Sequence, residues 1–198
     1  MNPDDLDTVV MNWSHTAKHA LRAMVELQDK FDELQAVSDA DPEADRAELM
    51  RVGFKMLRHA STAVVFFVLA MEAYINFYAV MRLGKTYTER YVDRLDLVSK
   101  WVVVPHLALG QRVLPEGETL ANLRKVVGLR NQIAHPKAGP YSSRAFESGV
   151  TGNPVMAAAG LREGALLAAS CVYDLCELMN AADDQCLVDL MAMDYIEE

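Results

Sequence analysis

The sequence predicts an all-α protein, a bundle of about five helices with long antiparallel core helices. Apolar residues recur at spacings of three and four over long stretches, which is the periodicity of an amphipathic helix. Only one short run, 102–104, resembles a β-strand, and a single strand without a partner cannot form a sheet. At 198 residues the chain can bury a sizeable core, and we expect a single domain over 1–198.

The first predicted helix covers residues 6–36. Its apolar positions step by three and four without a miss, as in a long bundle helix packed at a shallow angle. These positions are Val10, Trp13, Ala17, Ala20, Met24, Leu27, Phe31 and Leu34. His15 and His19 lie four residues apart on this helix and could together coordinate a metal ion, but no third ligand is near them in the sequence. Two surface histidines are the simpler interpretation, and we predict no metal or cofactor.

The second predicted helix begins after Pro42 and runs to about Leu83, and it should be the most buried one. Its expected core stripe consists of Met50, Phe54, Leu57, Val64, Val68, Met71, Ile75 and Tyr78. Glu72 and Asn76 interrupt this apolar helix, and a buried carboxylate needs a cation or several hydrogen-bond donors. Glu72 therefore either lies on an exposed edge or pairs with Arg130, and the sequence favours neither.

A third helix is predicted from Thr88 to about Val104. Pro105 should end it, because a proline disfavours helical backbone in the residue before it. Residues 107–117 are then expected to form a connection.

A fourth helix should begin near Thr119 and stop around His135, because Pro136 follows. A loop over 136–154 then leads to a last helix, about 155–180. The acidic end of the chain, 181–198, is either a short helix or a frayed tail.

Composition excludes several classes of protein. With 52% hydrophobic residues and few glycines and prolines, the chain is neither disordered nor fibrous. Cys171, Cys176 and Cys186 form no metal-binding pattern, and an odd number argues against a disulfide framework. The acidic N-terminus differs from a signal peptide, and the apolar stretch 60–81 is interrupted by polar residues. We therefore expect a cytoplasmic protein without a membrane span.

Charge is distributed unevenly along the chain. The formal net charge is −9, which would repel nucleic acid if it were spread uniformly. Residues 82–144, however, carry 11 Lys and Arg against 5 Asp and Glu, a balance of +6. This excess makes a local site for a polyanion conceivable, although a solvated mixed face would look the same.

The net-basic region contains a cluster of groups suited to phosphodiester chemistry, Arg130, Asn131 and His135. Asn131 and His135 are four apart, so they lie on one face of a helix. An imidazole exchanges protons near neutral pH, and a guanidinium offers a fixed fork of donors to phosphate oxygens. The same three residues at a helix end could instead cap carbonyl groups, and the spacing alone does not decide between the two.

The segment Arg130-Asn131-Gln132-Ile133-Ala134-His135 resembles the Arg-x4-6-His signature of the HEPN superfamily, in its common form with Asn after Arg. Ala70-Met71-Glu72-Ala73-Tyr74-Ile75-Asn76 is similar to the Glu-Ala-x-Ile-Asn helix of many of these proteins. Residues 95–101, followed by Pro105 and 107–110, are similar to the segment that often precedes the motif helix. The resemblance covers about residues 60–140.

The resemblance implies a helical domain that dimerises with its motif helices facing, and an activity as a metal-independent endoribonuclease of toxin–antitoxin, phage-defence or RNA-processing systems. Arg130 would bind the phosphate, His135 would act as general acid or base, and Asn131 would position them. Glu72 and Asn76 would support the site. Lys137 would either add a contact to a phosphate or be an ordinary surface lysine.

Lys137 marks a departure from the superfamily, because toxins that are silenced by adenylylation carry a tyrosine at that place. The expected partners are RNA, a second copy of the chain and an antitoxin or regulatory protein. The competing hypothesis is a non-catalytic helical module that binds RNA, a nucleotide or a protein.

Overall fold

The computed structural model describes residues 3–41, 46–113, 117–135 and 154–183, and side-chain environments for all of these except 3–11 and 154–159. In these ranges the chain forms six helices of at least 13 residues and no strand. They are α1 (Pro3–Glu26), α2 (Gln28–Ala40), α3 (Arg46–Leu83), α4 (Leu97–Leu109), α5 (Glu118–Ala134) and α6 (Pro154–Ala182). The all-α class is confirmed, with six long helices in place of about five.

α3 is the central helix of the fold. It is 38 residues long and packs against each of the other five helices. Val64, Val68, Met71 and Ile75 are fully buried on it, as the sequence predicts. Because α3 contacts every other helix, a polar group on its surface can meet side chains from several parts of the chain.

The N-terminal part of the core stripe predicted on α3 is wrong. Phe54 is 57% exposed, and Met50 is half-buried. The buried residues here form a small second core with α2, namely Phe31, Leu49, Val52 and Met56. α3 meets α2 along a face that is offset by about one residue from the predicted face. Both faces carry apolar residues, so the sequence pattern does not distinguish them.

The predicted continuous helix over 6–36 is two helices that meet at Leu27. The Leu27 amide donates to the Met24 carbonyl at 3.3 Å. This bond reaches back three residues instead of the four of an α-helix, so the backbone is wound more tightly here. Phe31 then donates to the Leu27 carbonyl, and the regular pattern resumes in α2. The apolar seam continues across the break, with Ala17, Ala20, Met24 and Phe31 all buried.

The predicted helix over 88–104 is also different in the structure. One helical turn, Lys85–Tyr87, and a π-helical turn, Thr88–Val92, follow α3. α4 then begins after Asp96, whose carboxylate accepts from the Ser99 amide at 3.0 Å and from the Ser99 hydroxyl at 2.6 Å. These hydrogen bonds lower the pKa of Asp96 and satisfy a donor at the helix start.

Pro105 lies inside α4 and does not end it, contrary to the prediction. α4 continues to Leu109 and stops at Gly110, whose positive φ of 68° closes the helix and whose amide donates to His106. Pro105 is buried together with Trp101 and Val104. Burial of this apolar face offsets the backbone hydrogen bond that a proline cannot donate.

The later helices agree with their predicted bounds. α5 spans Glu118–Ala134 and ends just before His135, and α6 spans Pro154–Ala182. The predicted loop up to residue 153, residues 114–116 of the predicted connection and the acidic end beyond Asp183 lie outside the described residues.

Asp183, just beyond the end of α6, binds the C-terminal end of α3. Its carboxylate forms an ion pair with Arg82 and accepts a hydrogen bond from the Tyr78 hydroxyl at 2.7 Å. Burial and the Asp183 carboxylate raise the pKa of Tyr78 above its usual range. Asp183 is almost completely buried, so this contact secures the last described helix to the central one.

Among the described residues, two helical stretches are long and apolar enough to cross a bilayer when judged by length and composition alone. They are Arg46–Leu83 and Gly160–Ala182. In the first stretch, 61% of the most apolar 18-residue segment is buried inside the fold, as in the core helix of a soluble protein. These stretches are therefore not decisive evidence for a membrane, and the prediction of a buried central helix over 60–81 is confirmed.

Candidate functional site

The candidate site is built on one polar edge of α3, which carries Glu72 and Asn76. The two residues are four apart, so their side chains project from the same face, roughly 5–6 Å from each other. Both are half-buried. Each receives a hydrogen bond from a cationic side chain of a different helix, one from α5 and one from α4.

Arg130 of α5 contacts the first of these two groups. Its Nη2 atom lies 3.2 Å from Oε2 of Glu72, and its Nη1 atom donates to Oδ1 of Asn131 at 3.0 Å. The Arg130 side chain is 23% exposed and the Glu72 side chain 33% exposed, so water still reaches the pair. The sequence left open whether Glu72 pairs with Arg130, and in the structure it does.

His135 lies at the end of α5, where the helix backbone stops. Its φ of −130° and ψ of 68° are not helical, and its amide donates to the Asn131 carbonyl at 2.9 Å. The residue is exposed. No hydrogen bond joins its imidazole to another residue in the described ranges. The structure thus brings Arg130 and Asn131 together and leaves the imidazole open to solvent.

Lys100 of α4 contacts the second polar group of α3, and no sequence motif had singled it out. Its Nζ atom donates to Oδ1 of Asn76 at 2.9 Å, and the residue is only 4% exposed. A lysine on the apolar face of a helix, next to Trp101, is a signal that the sequence contains. Without the tertiary structure, however, nothing connects it with Asn76, which is 24 residues away.

Leu129 of α5 packs closely against α6 at Gly164. A Cβ atom added at Gly164 of α6 would lie 2.2 Å from Cδ2 of Leu129, the residue before Arg130. The tip of the Leu129 side chain thus occupies the space that a side chain at position 164 would need. Gly128, by contrast, has open space around it.

Two other predictions concern residues away from this cluster. Lys137 lies outside the described residues. His15 and His19 are exposed on α1, with their Nε2 atoms 2.8 Å apart, so one imidazole donates to the other. Within the ranges that the structure describes, no group of three or more His, Cys, Asp or Glu side chains is arranged to hold a metal ion.

Fold and site together define an all-α protein with a polar cluster on its central helix, in which two cationic side chains meet one carboxylate and one amide. Neither a protein-family model, a curated protein nor a solved structure matches the chain. The chemistry of this cluster is therefore the basis for a functional assignment.

Proposed function

We propose that the chain is a metal-independent endoribonuclease of the HEPN type, with an active site completed by a second copy of the chain. The observation that carries the proposal is the contact of Glu72 with Arg130, which holds the guanidinium beside Asn131 near the helix end. His135, exposed one residue after α5, supplies a group for proton transfer.

RNA carries its own nucleophile, so the reaction needs little from the protein. The 2′-hydroxyl attacks the adjacent phosphorus while a base takes its proton, and the bond to the 5′-oxygen breaks as that oxygen gains a proton. The products are a 2′,3′-cyclic phosphate and a free 5′-hydroxyl. Arg130 would bind the phosphate oxygens and stabilise the charge that develops on them.

One imidazole serves one of the two proton transfers, which is the reason for proposing a dimer. If two copies face each other through their α5 ends, His135 takes the 2′-proton and the partner's His135 protonates the leaving oxygen, or the reverse. Asn131 would position the scissile group, while Glu72, Asn76 and Lys137 would support the phosphate site.

The cellular setting that fits this activity is a toxin or phage-defence effector in the cytoplasm, restrained by an antitoxin or regulatory partner. The excess of positive charge over residues 82–144 would attract RNA locally, although the net charge of the chain is −9.

A non-catalytic helical module that binds RNA, a nucleotide or a protein is the second candidate. The hydrogen bonding of Arg130 and His135 within one copy of the chain favours this candidate. The Arg130 guanidinium is already hydrogen-bonded to Glu72 and Asn131. The His135 imidazole has no hydrogen bond to any other described residue, so one chain alone does not orient it.

Cleavage of RNA in the presence of EDTA separates the two candidates. Purified wild-type protein is compared with His135→Ala and Arg130→Ala. His106→Ala and Arg58→Ala serve as matched controls, since both control residues are exposed and lie outside the cluster. The proposal requires cleavage by the wild type and the controls that leaves 2′,3′-cyclic phosphate ends, and loss of cleavage by about 100-fold or more in both site variants.

Equal cleavage by all five proteins would indicate a contaminating nuclease and would contradict the assignment. RNA binding without cleavage would favour the binding module. The composite site is tested separately by light scattering at the concentration used for cleavage, where a monomeric active enzyme would rule it out. A further check adds an excess of inactive His135→Ala to a fixed amount of wild type, because exchange into mixed dimers should suppress cleavage only if each site needs His135 of both copies.

A further inference from the structure

Lys100 holds the side chain of Asn76 in one orientation. An ammonium group only donates hydrogen bonds, so the atom of Asn76 that faces it at 2.9 Å must be the amide oxygen. The Nδ2 group of Asn76 then points away from Lys100. Among the described residues, neither of its two N–H groups has a hydrogen-bond partner.

The described partner of Lys100 is uncharged. The residue is 4% exposed, yet its described partner is a neutral amide and not a carboxylate. Glu72, the carboxylate one helical turn away on α3, is paired with Arg130. A buried cation without a counter-ion is costly, so an anion bound at this edge of α3 would supply the negative charge that the cluster lacks.

We propose that Lys100 is a positioning residue that directs the Asn76 amide toward a phosphate group held by Arg130. In this arrangement the Nδ2–H groups of Asn76 donate to a phosphate oxygen of the substrate, beside the guanidinium. Lys100 acts through Asn76 because the residue is buried and its ammonium donates to the Asn76 amide oxygen. The inference rests on the proposed function to the extent that the anion is a phosphodiester of RNA.

The neighbouring cation also strengthens the amide as a donor. A hydrogen bond accepted by the amide oxygen polarises the amide group, so its N–H groups become better donors to an anion. The amide and the guanidinium would then hold different oxygens of one phosphate. Such donors stabilise charge that builds up on those oxygens during the reaction.

Two variants separate the orientation of the amide from its mere presence. Lys100→Met keeps an unbranched side chain of similar length and removes the donor, so the Asn76 amide is free to rotate. Asn76→Leu removes the amide and keeps a side chain of similar size. Lys125→Met is the matched control, since it also deletes one positive charge but from an exposed position on α5.

Binding to a 2′-O-methyl RNA oligonucleotide, which cannot be cleaved for lack of the 2′-hydroxyl, is measured by two methods. Affinity is obtained from titrations at several salt concentrations, and the side-chain amide signal of Asn76 is followed by NMR. The signal should move on addition of RNA in the wild type and Lys125→Met, and should not move in Lys100→Met. Affinity should fall about 10-fold in Lys100→Met and Asn76→Leu.

The salt dependence of binding distinguishes positioning from direct contact. Loss of a lysine that touches a phosphate lowers the salt slope by about one unit. Lys100→Met should retain the wild-type slope. A reduced slope, or an Asn76 amide signal that does not respond to RNA in the folded wild type, would overturn the inference. Lys100→Arg provides a second variant if Lys100→Met does not fold, since its guanidinium can still donate to the amide oxygen and should retain the response of the Asn76 signal.

This experiment does not depend on catalysis. If ordinary RNA is not cleaved but the Asn76 signal responds as described, the proposed ribonuclease activity is wrong and the inference on the anion site stands. If RNA is cleaved and the signal does not respond, the ribonuclease assignment stands and the inference is wrong.

Discussion

Oε2 of Glu72 lies 3.2 Å from Nη2 of Arg130, and this contact joins the central helix to the helix end that precedes His135. Glu72 is therefore a support for the guanidinium, and its charge is balanced within the cluster. Because both side chains remain partly exposed, the contact should orient Arg130 more than it stabilises the fold.

Replacement of Glu72 tests whether the ion pair orients Arg130 without contributing much to the stability of the fold. Glu72→Gln retains an oxygen acceptor but removes the negative charge that holds the guanidinium. We expect the free energy of unfolding to change by less than about 1 kcal/mol, because exposed ion pairs contribute little. RNA cleavage should fall by about 10-fold, because Arg130 samples other orientations. Urea unfolding and cleavage rates measure the two effects, and a large stability loss with unchanged specific activity would contradict this view.

The approach of α6 to α5 should be sensitive to one methyl group. Gly164→Ala places a Cβ atom 2.2 Å from Cδ2 of Leu129, so Leu129 must change its position. Gly128→Ala is the control, since it introduces the same group into open space and should gain up to about 1 kcal/mol of helix propensity. In thermal or urea unfolding, Gly164→Ala should be less stable than this control by about 1 kcal/mol, the cost of moving a flexible side chain from its preferred rotamer. Equal stability would show that Leu129 moves without cost.

In the corrected core stripe of α3, Phe54 is exposed and Met56 is buried, so their substitutions should differ in their effect on stability. Phe54 is 57% exposed, so Phe54→Gln should change the free energy of unfolding by less than about 0.5 kcal/mol. Met56 is 0% exposed, so Met56→Ala should cost about 2–5 kcal/mol through lost burial and a cavity. Chemical denaturation of both variants checks the assignment. The reverse order of stabilities would restore the stripe predicted from the sequence.

The Tyr78 contact with Asp183 predicts a pH dependence at the alkaline end. Burial and the carboxylate raise the pKa of Tyr78 above its ordinary value of 10.0, so the folded state favours the neutral phenol. The stability that this contributes is fully present below the ordinary value and is lost as the pH rises through the folded-state pKa. Wild-type protein should therefore lose stability more steeply than Tyr78→Phe above about pH 10.

Urea unfolding of the wild type and Tyr78→Phe, between about pH 8 and about pH 11, provides the measurement. Taking the difference between the two proteins cancels the titration of other groups. Near neutral pH the variant should be less stable by about 1–2 kcal/mol, since it lacks the hydrogen bond to Asp183. A difference that stays constant across the range would show that the phenol does not titrate differently in the folded state.

The local sequence pattern was sufficient to predict the helical class, the ends of α5 and the burial of α3. Spacing of apolar residues reports which face of a helix is buried, and Pro136 marks a stop that depends on the chain alone. Pro105 did not act in this way, because burial of Trp101 and Val104 on the same helix outweighs one missing backbone hydrogen bond.

The motif residues Arg130, Asn131 and His135 were also visible in the sequence, as was the possibility that Glu72 pairs with Arg130. Only the tertiary structure selected that pair, and only it placed Lys100 on Asn76. The pattern also left the face of α3 near Phe54 ambiguous, because apolar residues lie on both sides of the helix there. Periodicity specifies a face along one helix, whereas a hydrogen bond between residues 24 or 58 positions apart depends on how separate helices pack.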